Sequence, residues 1–272
     1  MEGTEPMKNV NISKERLLYL RKAKIKTVSV HVYRVGLLIL LLSVWEIFAK
    51  VGIIDPFISS SPSKIIKTVV RLFSEDDLSY HMGITLYETL LGFTIAVFGG
   101  YAVAVLLWWS DTLKRVLEPY IVVLNCLPKI ALGPIIIVWC GSGRKAIIFM
   151  TVLVSIVVAT ITMLGGFSET DKNKTLLLRS MGASKMQILC KLVIPESLPT
   201  LISMLKISIG MAWIGSIMGE YLVSRAGLGY LIVYGGQVFK LDLVMASTFV
   251  LCVLASLLYG AVALLEKKIV RY

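Results

Sequence analysis

Residues 168–200 read SETDKNKTLLLRSMGASKMQILCKLVIPESLPT, a polar and basic stretch that lies between two long apolar segments. Gly182 lies at its centre, and Ser184 with Gln187 three residues later has the spacing of a capping box. The run 175–181 is long enough for about two helical turns, and Gly182 can adopt the positive φ angle that ends them. The stretch therefore predicts a helix–Gly–helix element that projects from a membrane protein on its basic side.

Long apolar runs dominate the rest of the 272-residue chain. It is 57% hydrophobic with a mean hydropathy of +0.82, and 17% of its residues are charged, against about a quarter in a soluble domain. Such runs predict an integral membrane protein of the all-α class with about six transmembrane helices. The formal charge of +11 is assigned to basic flanks that set membrane topology, since no motif for binding nucleic acid is present.

The apolar runs define six predicted spans, at about residues 35–51, 83–109, 119–140, 145–166, 201–223 and 243–265. Most of the 28 Lys and Arg residues fall in the segments that this plan places inside, which predicts that both termini are cytoplasmic. The predicted domains are a basic tail, a first transmembrane helix with an outer amphipathic segment, a transmembrane core that contains the loop 168–200, and a C-terminal tail. Their bounds are 1–34, 35–82, 83–265 and 266–272.

Two connecting segments have a predicted structure. The outer segment 52–82 contains a turn followed by a short amphipathic helix that begins at Ser61 and Pro62. Five apolar residues are predicted to fill one side of this helix: Ile65, Ile66, Val69, Val70 and Phe73. Residues 110–118 are predicted to form a short loop.

The third span is apolar but interrupted by Pro128, Gly133 and Pro134. Such interruptions persist in a bilayer only where neighbouring groups or a water-lined cavity satisfy the freed backbone groups. This span is therefore the predicted translocation pathway. Lys129 lies inside the interruption and is either a snorkelling or paired charge, or a cation that faces the pathway.

The fifth span contributes Trp213 and Glu220 to the predicted pathway or gate. Glu220 could pair with a base or brace the outer gate, and a structural role is favoured over contact with a substrate. The same span carries Gly215-x-x-x-Gly219, a spacing of small residues that predicts close packing against another helix.

The sequence contains no motif for catalysis or for phosphate binding. It has no G-x-x-x-x-G-K-[ST], H-E-x-x-H or G-x-S-x-G pattern and no paired carboxylate site. The four cysteines form no C-x-x-C pair, and His31 and His81 lie far apart. We therefore predict no catalytic residue, no metal site, no bound cofactor and no enzymatic activity in this chain.

The stretch from Leu176 through Gly182 to Leu198 and Pro199 resembles the cytoplasmic "EAA" loop of ABC-importer permeases of the binding-protein-dependent type. Leu176, Leu177 and Leu178 occupy the positions of its Glu-Ala-Ala start. The phrase LPKIALGP at 127–134 is similar to the nitrate, sulfonate and taurine subfamily of these permeases. Glu220 and the run Gly227-Leu228-Gly229-Tyr230 also match that subfamily.

The resemblance implies the type I importer permease fold and a set of partners. These are two copies of a separate ABC ATPase that uses ATP and Mg, an extracytoplasmic binding protein that delivers a small solute, and a second permease copy in a homodimer. The chain would lie in lipid as a multi-pass protein of the cell's inner membrane. The solute would resemble a sulfonate, nitrate, taurine or a vitamin precursor. The resemblance assigns ATPase coupling to Leu176, Leu177, Leu178, Arg179, Ser180, Met181, Gly182, Ala183 and Ser184.

An ion-coupled secondary carrier or channel that works without an ATPase is the alternative. It requires a coupling charge inside the membrane, for which Lys129 or Glu220 could serve, although neither has an evident partner in the sequence. An intramembrane enzyme is a third hypothesis, and it lacks a recognisable nucleophile and base.

Overall fold

The computed structural model describes residues 14–53, 60–75 and 77–269, and these residues contain helices but no strand. Five of the helices are long and apolar enough to cross a membrane, and a bent helix pair raises the number to six if it forms one span. This confirms the prediction of an all-α membrane protein with about six spans. Contacts divide the chain into two units, residues 1–63 and 64–272.

The main helices are α1 (Lys14–Val51), α2 (Pro62–Glu75), α3 (Leu78–Trp109), α4 (Asp111–Cys126), α5 (Gly133–Cys140), α6 (Arg144–Ser168) and α7 (Lys172–Ser180). They continue with α8 (Lys185–Ile188), α9 (Ile194–Glu196), α10 (Leu198–Val223), α11 (Leu228–Gln237) and α12 (Leu241–Ile269). A 3₁₀ turn covers Lys129–Leu132 and a π-helical turn covers Leu189–Val193.

The first unit consists mainly of α1, whose segment Val28–Val51 is a candidate span. Glu46 of this helix accepts hydrogen bonds from the backbone N–H (3.0 Å) and the hydroxyl (2.8 Å) of Ser63. It also pairs with Lys50 at 3.2 Å. Because Ser63 lies in the first turn of α2, Glu46 satisfies one of the backbone donors that the start of a helix leaves unpaired. Residues 1–13 of the predicted basic tail lie outside the described residues.

The core of the second unit is a packed group of α3, α6 and α10. Small residues let the helices approach closely. A Cβ atom added to Gly215 would lie 2.8 Å from the Thr151 Cα atom of α6, and one added to Gly219 would lie 2.9 Å from the Ile147 Cα atom. The close packing predicted from the Gly215 and Gly219 spacing is therefore confirmed.

Replacing Gly215 by leucine is expected to push α10 away from α6 and to lower the free energy of unfolding by about 1–3 kcal/mol, because the added atoms meet backbone rather than a movable side chain. Gly210→Leu is the matched control on the same helix, since a Cβ atom there meets nothing within 4 Å. Thermal unfolding of both variants in detergent measures the difference. Equal losses of stability would contradict the close approach of α10 to α6 at Gly215.

Two apolar clusters occupy opposite ends of the second unit. The cluster at the end that carries residues 168–200 includes Phe167, Ile188 and Val193. The cluster at the other end, called here the outer end, includes Leu228 together with Leu72 of α2. The loop 168–200 and helix α2 are thus each anchored to the helix bundle through their own buried residues.

Four local features differ from what was predicted. Residues 111–118 are helical rather than a loop, because α4 begins directly after Ser110, whose hydroxyl accepts the Leu113 N–H at 3.2 Å. Pro119 consequently lies inside α4 instead of starting a span. Helix α11 was not predicted. On α2 the predicted apolar side is divided: Ile65 is buried, whereas the other face is exposed at Ile66, Val70 and Phe73.

Candidate functional site

The helix–Gly–helix element ends its first helix with a Schellman motif. Gly182 has φ +81°, and its N–H donates to the Arg179 carbonyl at 2.9 Å. The Ala183 N–H donates to the Leu178 carbonyl at 2.9 Å, so two of the last carbonyls of α7 are satisfied. The positive φ angle predicted for Gly182 is confirmed.

The second helix of the element begins with the predicted capping box. The Ser184 hydroxyl accepts the Gln187 N–H at 3.3 Å, and the Gln187 side chain accepts the Ser184 N–H at 2.8 Å. Both bonds satisfy backbone donors at the start of α8. The turn 181–184 is therefore fixed from both sides by local hydrogen bonds.

Two lysines tie the element to the helices around it. Lys185 donates to the Trp109 carbonyl at 2.5 Å, at the C-terminal end of α3, and lies 5.6 Å from the Trp108 ring centroid. A cation suits this position because the carbonyl end of a helix carries partial negative charge. Lys174 pairs with Glu196 at 2.8 Å, and this hydrogen bond raises the pKa of Lys174. The exposed pair orients α7 but adds little stability.

The outward face of the element is apolar although its sequence is polar. Leu176 is 67% exposed and Met181 is 75% exposed, and Leu177 and Met186 are exposed beside them. Leu178 and Ala183 instead pack against the buried cluster below. The other residues of 176–184 are exposed. A group of exposed large apolar side chains on a rigid polar element is typical of a protein-binding surface.

Replacing Gly182 by valine is expected to weaken this turn by about 1–2 kcal/mol, because a β-branched residue disfavours the left-handed conformation although space for its side chain is open. Hydrogen exchange should accelerate at the amides of residues 182 and 183. Gly182→Asn is the control, since asparagine tolerates positive φ angles. Equal exchange in wild type and Gly182→Val would contradict the prediction.

The predicted pathway segment is sharply bent. Helix α4 and the segment Lys129–Cys140 meet at 88°. Pro128 precedes the 3₁₀ turn, and Lys129 donates to the Asn125 carbonyl at 3.0 Å, where it caps the end of α4. Pro134 lies exposed in the first turn of α5. Lys129 therefore satisfies the Asn125 carbonyl, one of the backbone groups that the break leaves without a helical partner.

The remaining pathway candidates have different neighbours. Gly133 is buried where α5 lies against α10, and a Cβ atom there would overlap the Cδ1 atom of Leu222, so that flexible side chain would have to rotate away. Trp213 lines an apolar cavity of about 360 Å³ beside α12, and its indole N–H has no hydrogen-bond partner among the described residues. Gly133 and Trp213 therefore have different surroundings: Gly133 lies at the contact of α5 with α10, and Trp213 lies at the apolar cavity beside α12.

Glu220 is 1% exposed and lies at the centre of a polar cluster at the outer end. It accepts hydrogen bonds from the Thr85 hydroxyl and the Gly229 N–H, both at 2.6 Å. Thr85 in turn accepts the Leu228 N–H at 2.8 Å. These bonds hold the first turn of α11 against α3 and α10.

His81 completes the cluster. Its Nδ1 accepts the Gly227 N–H at 2.9 Å, and its ring stacks on Tyr230 with centroids 6.1 Å apart. Neither His81 nor Thr85 was predicted from the sequence to belong to a site. A signal was available, because His81, Thr85 and Glu88 recur at spacings of four and three residues on one face of α3.

The family described as binding-protein-dependent transport system inner membrane component matches residues 92–271. The chain belongs to this family. It is similar to the formylaminopyrimidine transport permease protein ThiX of Halalkalibacterium halodurans, with 30% identity over 84% of this chain and 90% of the relative. It is also similar to the taurine transport system permease protein TauC of Escherichia coli, with 25% identity over 86% and 87%.

Solved structures show the same fold. The chain superimposes on a protein of the MetNI methionine ABC transporter with a TM-score of 0.64 and 21% identity, over 72% of this chain and 100% of that one. A bacterial ABC transporter for import of the polysaccharide alginate gives a TM-score of 0.62 and 12% identity, over 92% and 100%. These likenesses confirm the importer-permease fold predicted from the resemblance.

Proposed function

We propose that this chain forms the membrane pathway of an ATP-driven importer and transmits the work of a separate ATPase through residues 176–184. The ATPase would use ATP and Mg and would be present in two copies. Two permease chains would pair in the inner membrane, with both termini in the cytoplasm. An extracytoplasmic binding protein would deliver the solute.

One observation supports this proposal most strongly: the exposed apolar face of Leu176, Leu177 and Met181. Leu176 stands where the family loop begins with glutamate, so the contact made by this face does not depend on a negative charge there. We expect the face instead to bind an apolar groove on the ATPase. Because Lys185 holds the element on Trp109, movement of the docked partner would be passed directly to α3.

The names of the relatives support a small organic solute. ThiX is named for a formylaminopyrimidine and TauC for taurine, and a similar protein of Bacillus subtilis is named a putative aliphatic sulfonates transport permease protein. We infer that the solute of this chain is likewise a sulfonate, a taurine-like compound or a vitamin precursor.

The test is a pull-down of the tagged chain from its native membranes in mild detergent, with partners identified by mass spectrometry. Recovery of an ABC ATPase and a binding protein supports the importer function. In the recovered complex, Gly182→Val should reduce transport and ATPase stimulation together, whereas Gly182→Asn should retain most of both.

The ion-coupled carrier predicts the opposite outcome. The chain alone would then transport in liposomes under an ion gradient, and Gly182→Val would leave that transport unchanged. Either result would contradict the proposed function.

A further inference from the structure

A polar cavity of about 780 Å³ lies at the outer end of the second unit. It is enclosed by α3, α5, α6 and α10 and by the two turns that precede α6 and α11. The lining residues that carry charge are Glu88, Arg144 and Arg225, and Ser142 and Ser224 add hydroxyl groups. A concave site with a few convergent polar groups is the usual form of a small-molecule site.

Glu88 is an unusual residue at the base of this cavity. It is 1% exposed, it lies on a membrane-spanning helix, and its Oε2 atom has no hydrogen-bond partner among the described residues. Its neighbour is the Glu220 carboxyl group, which shares a hydrogen bond with the Glu88 carboxyl group and is also bonded to Thr85 and Gly229. A buried carboxyl oxygen without a partner is costly, so a hydrogen-bond donor in the cavity would relieve that cost.

The two arginines supply the opposite charge. Arg144 begins α6 and Arg225 lies in the turn before α11, and both side chains are exposed where they line the cavity. Neither forms an ion pair with a residue that the structure describes. Guanidinium groups bind sulfonate, phosphate and carboxylate groups through parallel hydrogen bonds. The cavity thus combines a buried carboxyl group at its floor with two guanidinium groups in its lining.

We propose that this outer-end cavity binds a small organic solute that carries both an anionic group and an N–H donor. Arg144 and Arg225 bind the anionic group, and Glu88 Oε2 accepts a hydrogen bond from the amino group. The inference rests on the proposed importer function and deepens it, because it assigns to the permease chain a site of its own for the solute that the binding protein delivers.

The chemistry of the proposal can be tested with probes that carry both groups or one of them. The permease complex is reconstituted in nanodiscs without its binding protein, and equilibrium binding of radiolabelled 2-aminoethanesulfonate is measured. Ethanesulfonate, ethylamine and inorganic sulfate serve as competitors. We expect 2-aminoethanesulfonate to bind more tightly than any of the three.

Variants assign each group to its residue. Arg144→Gln and Arg225→Gln should each weaken binding of 2-aminoethanesulfonate by about 10- to 100-fold, the usual effect of losing a charge-assisted hydrogen bond. Glu88→Gln should reduce the preference for 2-aminoethanesulfonate over ethanesulfonate, because the amide loses the negative charge and keeps one acceptor oxygen, while ethanesulfonate affinity stays the same. Lys145→Gln, next to Arg144 but outside the cavity lining, is the control and should bind as wild type does.

Several outcomes would overturn the proposal: no binding of any probe, an unchanged preference in Glu88→Gln, or an equal loss in Lys145→Gln. Stimulation of ATP hydrolysis by the recovered binding protein is measured in the same preparation. If stimulation is present without cavity-dependent binding, the cavity proposal is wrong and the importer function stands. If stimulation is absent, the importer function itself is wrong.

Discussion

Glu220→Ala is expected to lower the free energy of unfolding by about 2–6 kcal/mol. The substitution leaves the Thr85 hydroxyl and the Gly229 N–H without their acceptor in a buried place, and each unpaired group costs about 1–3 kcal/mol. The loss should appear as a lower midpoint of thermal unfolding in detergent. Transport should fall with it, because the first turn of α11 is no longer held against α3.

Two further variants separate this effect from a general loss of charge. Glu220→Gln should be intermediate, since its amide oxygen can still accept one of the two hydrogen bonds while its NH₂ group cannot. Glu118→Ala removes an exposed glutamate from α4 and should change stability by less than about 0.5 kcal/mol. If Glu220→Ala were as stable as Glu118→Ala, the bonds around Glu220 would not stabilise the fold.

The features predicted correctly from the sequence depend on neighbours a few positions apart. The capping box of Ser184 and Gln187 and the positive φ angle of Gly182 follow from local hydrogen bonding and sterics. The contact that Gly215 and Gly219 make with α6 follows from a four-residue spacing that places both on one helix face. Hydropathy located the long helices because it too depends only on residues that are neighbours in the sequence.

The polar cluster at the outer end could not be predicted in this way. Thr85 and Glu220 are 135 positions apart, and His81 and Gly227 are 146 apart. Their pairing depends on how α3, α10 and α11 assemble, which no local pattern encodes. The division of α2 into a buried and an exposed apolar face had the same cause, because its apolar arc was wider than the surface that covers it.

Gly227→Ala is expected to destabilise the outer end by about 2–4 kcal/mol for two separate reasons. Gly227 has φ +113°, a conformation that residues with a Cβ atom rarely adopt. The added Cβ atom would also lie 2.5 Å from the Glu220 Cδ atom and overlap the carboxyl oxygens. Thermal unfolding in detergent measures the total.

A glycine series separates the two causes. Gly141 has φ +77° and open space around it, so Gly141→Ala should show the conformational cost alone, about 1 kcal/mol. Gly236 has no positive φ angle and no neighbour within 4 Å, so Gly236→Ala should cost nothing or stabilise slightly. The expected order of destabilisation is Gly227→Ala, then Gly141→Ala, then Gly236→Ala.

The double variant Gly227→Ala with Glu220→Ala gives the sharpest result. All the atoms nearest to the added Cβ belong to the Glu220 carboxyl group, so removing that group also removes the clash. In the Glu220→Ala background, Gly227→Ala should therefore cost only the conformational part, about 1 kcal/mol, and the two losses should not add. Strict additivity would show that Gly227 and Glu220 are not in contact, and the cluster that holds α11 would then be arranged differently.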